Sequence, residues 1–466
     1  MSAETATPPT SSARRVARPD GPRPGPFLAG LLSGRVLPTD AFTAIAQRYD
    51  RIAHLRLVNE HLYVLTHPDV VRHVFVTHGR STMKGRGLQQ AKRLLGEGLL
   101  TSEGELHRRQ RRLVQPAFHH ERIAMYGRQM TAAAVDHEQR WSEGQQVDLA
   151  EEMAALTLDI VGRTLFGADL RSAADEVADA LGTVMGGFQR RIAGGPRNML
   201  NRLPTRANRR ALDGLTRLDA VVADLIAAHR TEAASGVVGD DVLSMLVAAR
   251  DTEGDGTGMS DTQLRDEVMT LVLAGHETTA NALTWAWFLV GRHPEVRDRL
   301  HAEIDVLPAE LETADVARLP YVHAVVAETL RLYPPAWTIG RRLTDDVEVD
   351  GWTLPAGSLT LASQFVLHRD PRWWGDAGTF RPERWLDPAG DFDETAPGQP
   401  RGAWFPFGLG GRVCIGESFA WTEAVLVLAT MARRWDPEIL AAADPAVSPA
   451  VTLRPRDGMP AVLRRR

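Results

Sequence analysis

The stretch FPFGLGGRVCIG, Phe405 to Gly416, carries the chain's one cysteine, Cys414, among four glycines and Arg412. The apolar run ESFAWTEAVLVLATMA follows directly and reads as a helix. Cys414 therefore precedes a helix N-terminus, where the dipole favours a thiolate. A thiolate there could attack a substrate or bind a metal. A nucleophilic cysteine needs a base within reach and a polar oxyanion site. This loop offers Phe405 and Phe407 instead. Zinc needs about four ligands, and no second cysteine exists. A haem iron takes a single protein thiolate and leaves its opposite face open for oxygen. Its two propionates also need cations. Arg412 lies beside Cys414, HRRQRR places His107 and Arg111 at i and i+4 on one helical face, and Arg341 is a further candidate.

Two other groups of residues could do chemistry. GHETTAN, Gly275 to Asn281, interrupts a run that is otherwise apolar: VMTLVLA before it and ALTWAWFLV after it. A carboxylate and two threonines in mid-core are costly unless paired. One reading is a groove for a small ligand, with Glu277 and Thr278 handling protons beside it. The other is structural, with Thr278 bonding back to the preceding turn. In YVHAVVAETLRLYPP, Glu328 and Arg331 share a helical face at i and i+3. Their apolar surroundings suggest a buried pair, and such a pair must have its remaining donors satisfied. Arg384 in FRPERW is a candidate third member, and a structural clamp is the preferred reading.

Long elements must position these residues. Ser260 is a good N-cap and Gln263 completes a capping box. The helix they start runs to about Val290, some 30 residues or about 45 Å. Apolar on nearly all sides, it must be buried across a whole domain. IAHLRLV and LYVLT read as a hairpin over Ile52 to Thr66. From Pro68 to Leu330 the pattern is mostly helical. Short strands are expected after Leu343, in VEVDGWTLPAGSLTLAS, and again in AVTLRP. The fold class is mainly α with small β-sheets, without the strand–helix alternation of a doubly wound fold.

Composition sets outer bounds. The 466 residues are 44% hydrophobic and 24% charged, with a net charge of -5. Nothing in that balance argues for nucleic acid. One cysteine excludes an internal disulfide and fits a reducing compartment. No apolar run reaches the roughly 18 residues of a membrane span. Residues 1–23 read as a flexible polar arm, rich in Pro, Ser, Thr and Arg, with no signal-peptide core. A cytoplasmic location is expected.

These motifs, in this order, resemble those of the cytochrome P-450 family of haem-thiolate monooxygenases, of soluble bacterial type. FPFGLGGRVCIG resembles the cysteine-ligand loop and is the most specific. AGHETT (Ala274 to Thr279) resembles the oxygen-binding groove, ETLR the E-x-x-R pair, and RPERW the segment whose arginine locks it. ELHRRQRR resembles the propionate-binding helix, with His107 where a tryptophan often stands. Length alone suggests roughly three domains. The resemblance implies one, a single-domain haem fold over residues 24–466.

The resemblance also implies roles. Cys414 would be the iron ligand of haem b. Ala274, Phe407 and Gly416 would line the haem, and His107, Arg111, Arg341 and Arg412 would hold its propionates. Thr278 and Glu277 would serve oxygen activation and proton delivery, and Glu328, Arg331 and Arg384 the proximal fold. The reaction would insert one atom of O2 into a lipophilic terpenoid, fatty acid or polyketide of secondary metabolism. Electrons would come from a separate ferredoxin and its reductase. A peroxide-driven peroxygenase and a non-catalytic haem sensor or carrier are the alternatives. The substrate pocket is expected within Arg80 to Leu100 and at Leu271, Ala274, Trp337, Thr338 and Val451. Arg108, Arg109 and Arg112 are a candidate docking face for the redox partner.

Overall fold

The long apolar helix organises the molecule. The computed structural model describes residues 18–33, 35–57, 60–167, 205–236, 239–440 and 445–466. Residues 1–17 of the expected arm at 1–23 lie outside them. Among the helices used below are α1 (Arg86–Leu95), α2 (Gly104–Val114), α3 (His120–Glu138) and α4 (Leu149–Phe166). They are followed by α5 (Arg206–Ala234), α6 (Asp261–Arg292), α7 (Pro320–Leu332) and α8 (Glu417–Ala432). The central helix is α6. Ser260 caps it, accepting from the Gln263 N–H while the Gln263 side chain accepts from the Ser260 N–H. Helices α4, α5, α7 and α8 pack around α6, and α3 packs on α4 and α8. That burial explains why α6 is apolar on nearly every side.

The sheets are small. The main one holds β1 (Ile52–Leu57), β2 (Glu60–Leu65), β3 (Thr82–Lys84), β4 (Ile339–Leu343) and β5 (Leu359–Ala362), in the order β1-β2-β5-β4-β3. β1 and β2 form the expected hairpin, Ile52 opposite Leu65. β4 begins eight residues before the first expected strand stretch at Val347, because Ile339–Arg342 pair with β5 and Arg341–Leu343 with the short strand β3. Val347–Val349 and Trp352–Leu354 form a separate hairpin, and Leu453–Pro455 pairs with Val447–Pro449. Ahead of the first helix, the Asp20 carbonyl accepts the His54 N–H of β1, so the last residues of the expected arm lie against the sheet. No helix among the described residues is long and apolar enough to cross a membrane.

Glu328, Arg331 and Arg384 come together behind α8, all buried. Glu328 accepts from Arg331 Nε at 2.8 Å, Arg331 Nη2 at 2.8 Å, Arg384 Nε at 3.0 Å, the Arg381 N–H at 3.0 Å and Trp385 Nε1 at 2.9 Å. The remaining Arg331 donors reach the carbonyls of His368, Ala377 and Thr379. A buried ion pair is tolerable only when its spare donors and acceptors are satisfied in this way. The segment His368 to Trp385 is thereby fixed to α7.

Candidate active site

A cavity of about 380 Å³ lies between α6 and α8 and extends to β4. Its walls are largely aliphatic and aromatic. Cys414 faces it from the loop before α8, with Phe407 and Gly416 beside it and Ala274 and Thr278 across from it on α6.

The cysteine loop is held by its own backbone. The Cys414 N–H donates to the Phe407 carbonyl at 2.9 Å, and the Gly408 N–H to the Phe405 carbonyl at 3.0 Å. His368 Nε2 accepts the Phe405 N–H at 3.0 Å, which ties the loop to the segment clamped by Arg331. Gly410 sits at φ 71°, and a Cβ there would stand 2.5 Å from the Phe75 carbonyl oxygen. Only glycine meets both demands. The close approach that fixes Gly410 is thus to protein backbone, not to a cofactor face. Burial pushes the Cys414 thiol up to about 11, against the pull of the Gly416 N–H and Arg111. A bound metal cation would make it a thiolate, because coordination deprotonates a thiol outright.

One edge of the cavity is cationic. Arg341 is buried; among the described residues its guanidinium donates to its neighbour's carbonyl, Gly340 O at 3.1 Å, and lies over the Phe75 ring. Burial, and then Arg412, lower it to about 10. Arg111 Nη1 donates to the Val413 carbonyl at 2.8 Å. Arg412 pairs with Glu103 through Nη2, while its buried Nη1 has no partner. His107 is buried, with Nδ1 at 3.5 Å from Lys84 Nζ and Nε2 without a partner. In the tautomer that carries its hydrogen on Nε2, His107 would offer a donor there. Burial and Lys84 hold its pKa down to about 3. All four residues border the cavity. Glu103 is the one carboxylate paired with them. Unpaired buried cations and orphaned donors are expensive unless an anion meets them. These residues therefore fit a flat ligand bearing carboxylates at this edge and a metal at Cys414.

Two residues of this edge were not legible in the sequence. Lys84 borders the cavity and donates from Nζ to the carbonyls of Leu99 and Ser102 at 2.7 and 2.6 Å. Gln364 also borders it, fully buried, with neither amide atom paired. Neither belongs to a recognisable motif. Only the order β3-β4-β5 brings them here.

We expect Arg341→Leu to weaken haem retention by about 10- to 100-fold, the worth of a charged hydrogen bond. The same change should stabilise the haem-free protein, by removing a buried guanidinium that makes no direct ion pair among the described residues. Haem transfer to an acceptor globin and urea unfolding of the haem-free protein check the two halves.

Helix α6 runs unbroken through GHETTAN. The Thr278 hydroxyl donates to the Ala274 carbonyl at 2.6 Å, Thr157 Oγ1 to the His276 carbonyl at 3.1 Å, and Asn281 Nδ2 to the Glu277 carbonyl at 2.9 Å. Back-bonding by Thr278, the structural reading, is realised, and the residue also faces the cavity. Glu277 does not line the cavity. Its Oε1 accepts from Thr452 Oγ1 at 2.5 Å, and burial raises its pKa.

The expected substrate residues divide. Leu271 and Ala274 line the cavity, with Leu88, Leu99 and Leu100 from the segment Arg80 to Leu100. Trp337, Thr338 and Val451 do not. The Trp337 indole N–H needs a buried acceptor and finds the Ala450 carbonyl at 3.0 Å, which turns the ring toward Phe42. The Thr338 hydroxyl donates to the Ala362 carbonyl at 3.1 Å, and Val451 packs into the main core. Pro335, Ala336 and Ile339 take their place. The arginines of the expected docking face on α2 have partners within the chain. Arg109 and Arg112 both meet the buried Asp251, at 3.4 and 2.9 Å, and Arg109 donates to Thr257 Oγ1 at 2.8 Å. Arg108 pairs with Glu105. The loop leading into α6 neutralises the two arginines before any partner arrives.

The chain's relatives agree with this geometry. The family model described as Cytochrome P450 matches residues 19–457. The chain is 43% identical over 397 residues to "Cyclooctatin synthase" of Streptomyces melanosporofaciens, covering 84% of each chain. It is 38% identical over 401 residues to "Cyclooctat-9-en-7-ol 5-monooxygenase" of the same organism, again over 84% of each. It is 35% identical over 399 residues to "Pentalenene oxygenase" of Streptomyces avermitilis, over 84% of this chain and 86% of that one. A lone thiol facing a cavity with a cationic edge is what a haem-thiolate iron requires, and the chain belongs to the cytochrome P450 family, as a monooxygenase that uses such an iron and O2 on a lipophilic substrate with a redox partner.

Proposed function

We propose that the chain oxygenates a cyclic terpenoid, a hydrocarbon or one of its early alcohols, in secondary metabolism. The supporting observation is the wall opposite Cys414, built from Leu88, Leu99, Leu100, Leu271 and Ala274. Such a wall can hold a rigid apolar skeleton, but offers little to a charged or heavily hydroxylated one. The names of the relatives favour the terpenoid among lipophilic classes.

In this reading residues 24–466 form the haem domain, in the cytoplasm, with haem b as the cofactor and a ferredoxin with its reductase as the electron source. The haem, when bound through Cys414, supplies activation of O2 and insertion of one oxygen atom into a C–H bond or an alkene. His107, Arg111, Arg341 and Arg412 hold its carboxylates, and Gln364 adds an amide at the same edge. Thr278 holds a hydroxyl proton at the cavity wall, parked on the Ala274 carbonyl. Glu277 stands behind it, joined to Thr452. Burial raises its pKa, against the hydrogen bond from Thr452.

Thr278→Ala should leave electron and O2 consumption running while product formation falls by about 10²-fold, the loss typical of a removed proton-transfer group. Product formed per electron consumed checks this, and unchanged coupling would remove Thr278 from the mechanism. Substrate class is tested by spin-state titration of the ferric protein with cyclic terpenoid hydrocarbons, their monoalcohols, fatty acids and macrolide aglycones. Terpenoids should shift the spectrum at the lowest concentrations, and a response confined to fatty acids or aglycones would overturn the assignment.

A further inference from the structure

Residues 96–102 cross from α1 to α2 over the cavity, and Leu99 and Leu100 form part of its wall. Loops over binding pockets usually belong to the least stable parts of a fold. This one is pinned from two sides. Asp266 Oδ2 on α6 accepts the Glu97 N–H at 2.7 Å, and Glu267 Oε2 accepts the Leu99 N–H at 2.9 Å. From the sheet side, Lys84 Nζ donates to the Leu99 carbonyl at 2.7 Å and the Ser102 carbonyl at 2.6 Å. Both backbone groups of Leu99 are thus held by buried ionisable side chains. Gly98 allows the contact, since a Cβ there would stand 2.3 Å from the Asp266 carbonyl and from Thr270 Oγ1.

We propose that Glu267 and Lys84 are positioning residues that latch this loop onto α6 and β3, fixing Leu99 and Leu100 as a rigid wall that sets substrate orientation. Opening the loop would leave the Glu267 carboxyl and the Lys84 ammonium buried without their amide partners, which is costly for either group. Glu267 Oε1 already lacks a partner, so the Leu99 N–H is its main satisfaction. The inference rests on the reading that a lipophilic substrate lies against this wall. Its test does not depend on which substrate that is.

The test uses the haem-loaded protein. Glu267→Ala should speed hydrogen exchange at the Leu99–Ser102 amides by about 10- to 100-fold, the worth of a charged hydrogen bond. Exchange in the separate hairpin Val347–Leu354 should stay unchanged. Glu267→Gln keeps an acceptor and should restore protection. Gly98→Ala displaces the loop with every charge in place and should reproduce the alanine phenotype, which decides the matter if Glu267→Ala does not fold. Imidazole and phenylimidazole, as iron ligands of different reach, report on the wall. The variants should alter phenylimidazole affinity by about tenfold and leave imidazole affinity unchanged, since only the larger ligand can touch a displaced loop.

Unchanged exchange and unchanged azole discrimination in both Glu267→Ala and Gly98→Ala would overturn the proposal. If wild-type protein ignores terpenoids while the azole discrimination still shifts in the variants, the latch stands and the substrate reading falls. If terpenoids bind and are oxidised at one position equally in wild type and variants, the substrate reading stands and the latch falls.

Discussion

Glu328→Ala should prevent recovery of folded, haem-loaded protein. Glu328 is fully buried and accepts five hydrogen bonds, from Arg331, Arg381, Arg384 and Trp385. Removing it strands the Arg331 and Arg384 guanidinium groups in the core. Breaking a buried pair from one side costs about 3–5 kcal/mol, against a total stability of about 5–15 kcal/mol. The local damage points at the iron site. Arg331 holds the His368 carbonyl, and the His368 ring accepts the Phe405 N–H at the start of the cysteine loop. Yield of haem-loaded protein and the midpoint of chemical denaturation check the prediction. Glu328→Gln should also be damaging, because one amide cannot replace a carboxylate between two guanidinium groups. A stable, haem-loaded Glu328→Ala protein would show that the clamp is dispensable.

Cys414→Ser should keep the fold and lose the reaction. The side chain is nearly isosteric and its backbone bond to Phe407 does not depend on sulfur. Haem should still bind through the cationic edge formed by His107, Arg111, Arg341 and Arg412. What disappears is the thiolate, and with it the electron donation that favours cleavage of the O–O bond. Turnover with a competent electron donor should fall by at least about 10³-fold, on the scale expected when a central catalytic group is removed. Product analysis beside haem content checks this. Full haem occupancy with wild-type turnover would remove Cys414 from the proposed role.

The features legible in the sequence are those encoded over short spans. The lone thiol in its glycine-rich loop, the i, i+3 spacing of Glu328 and Arg331, and the capped start of α6 each need only a few consecutive residues. The long helix is legible because burial on all sides leaves an apolar run with a conspicuous polar interruption. What was not legible depends on pairings across the chain. Asp251 meets Arg112 across 139 positions, so the basic stripe on α2 reads as a free face although Arg109 and Arg112 both pair with that carboxylate. Trp337 looks like a pocket residue by its place after α7. The demand of its indole N–H for the Ala450 carbonyl turns it away. Lys84 and Gln364 carry no motif, and reach the cavity only through strand order. The loop latch is of the same kind. Glu267 lies 168 positions from Leu99, and nothing local marks Asp266 and Glu267 as more than a polar turn of helix.

Every role proposed for this cavity depends on Cys414 binding a haem iron as a thiolate. The absorption spectrum of the reduced, haem-loaded protein under carbon monoxide tests it most directly. With Cys414 as a thiolate ligand the Soret band would lie at the long-wavelength position characteristic of haem-thiolate proteins, and Cys414→Ser should abolish that band. A wild-type band at the shorter wavelength of imidazole-ligated haem, unaffected by Cys414→Ser, would contradict the account.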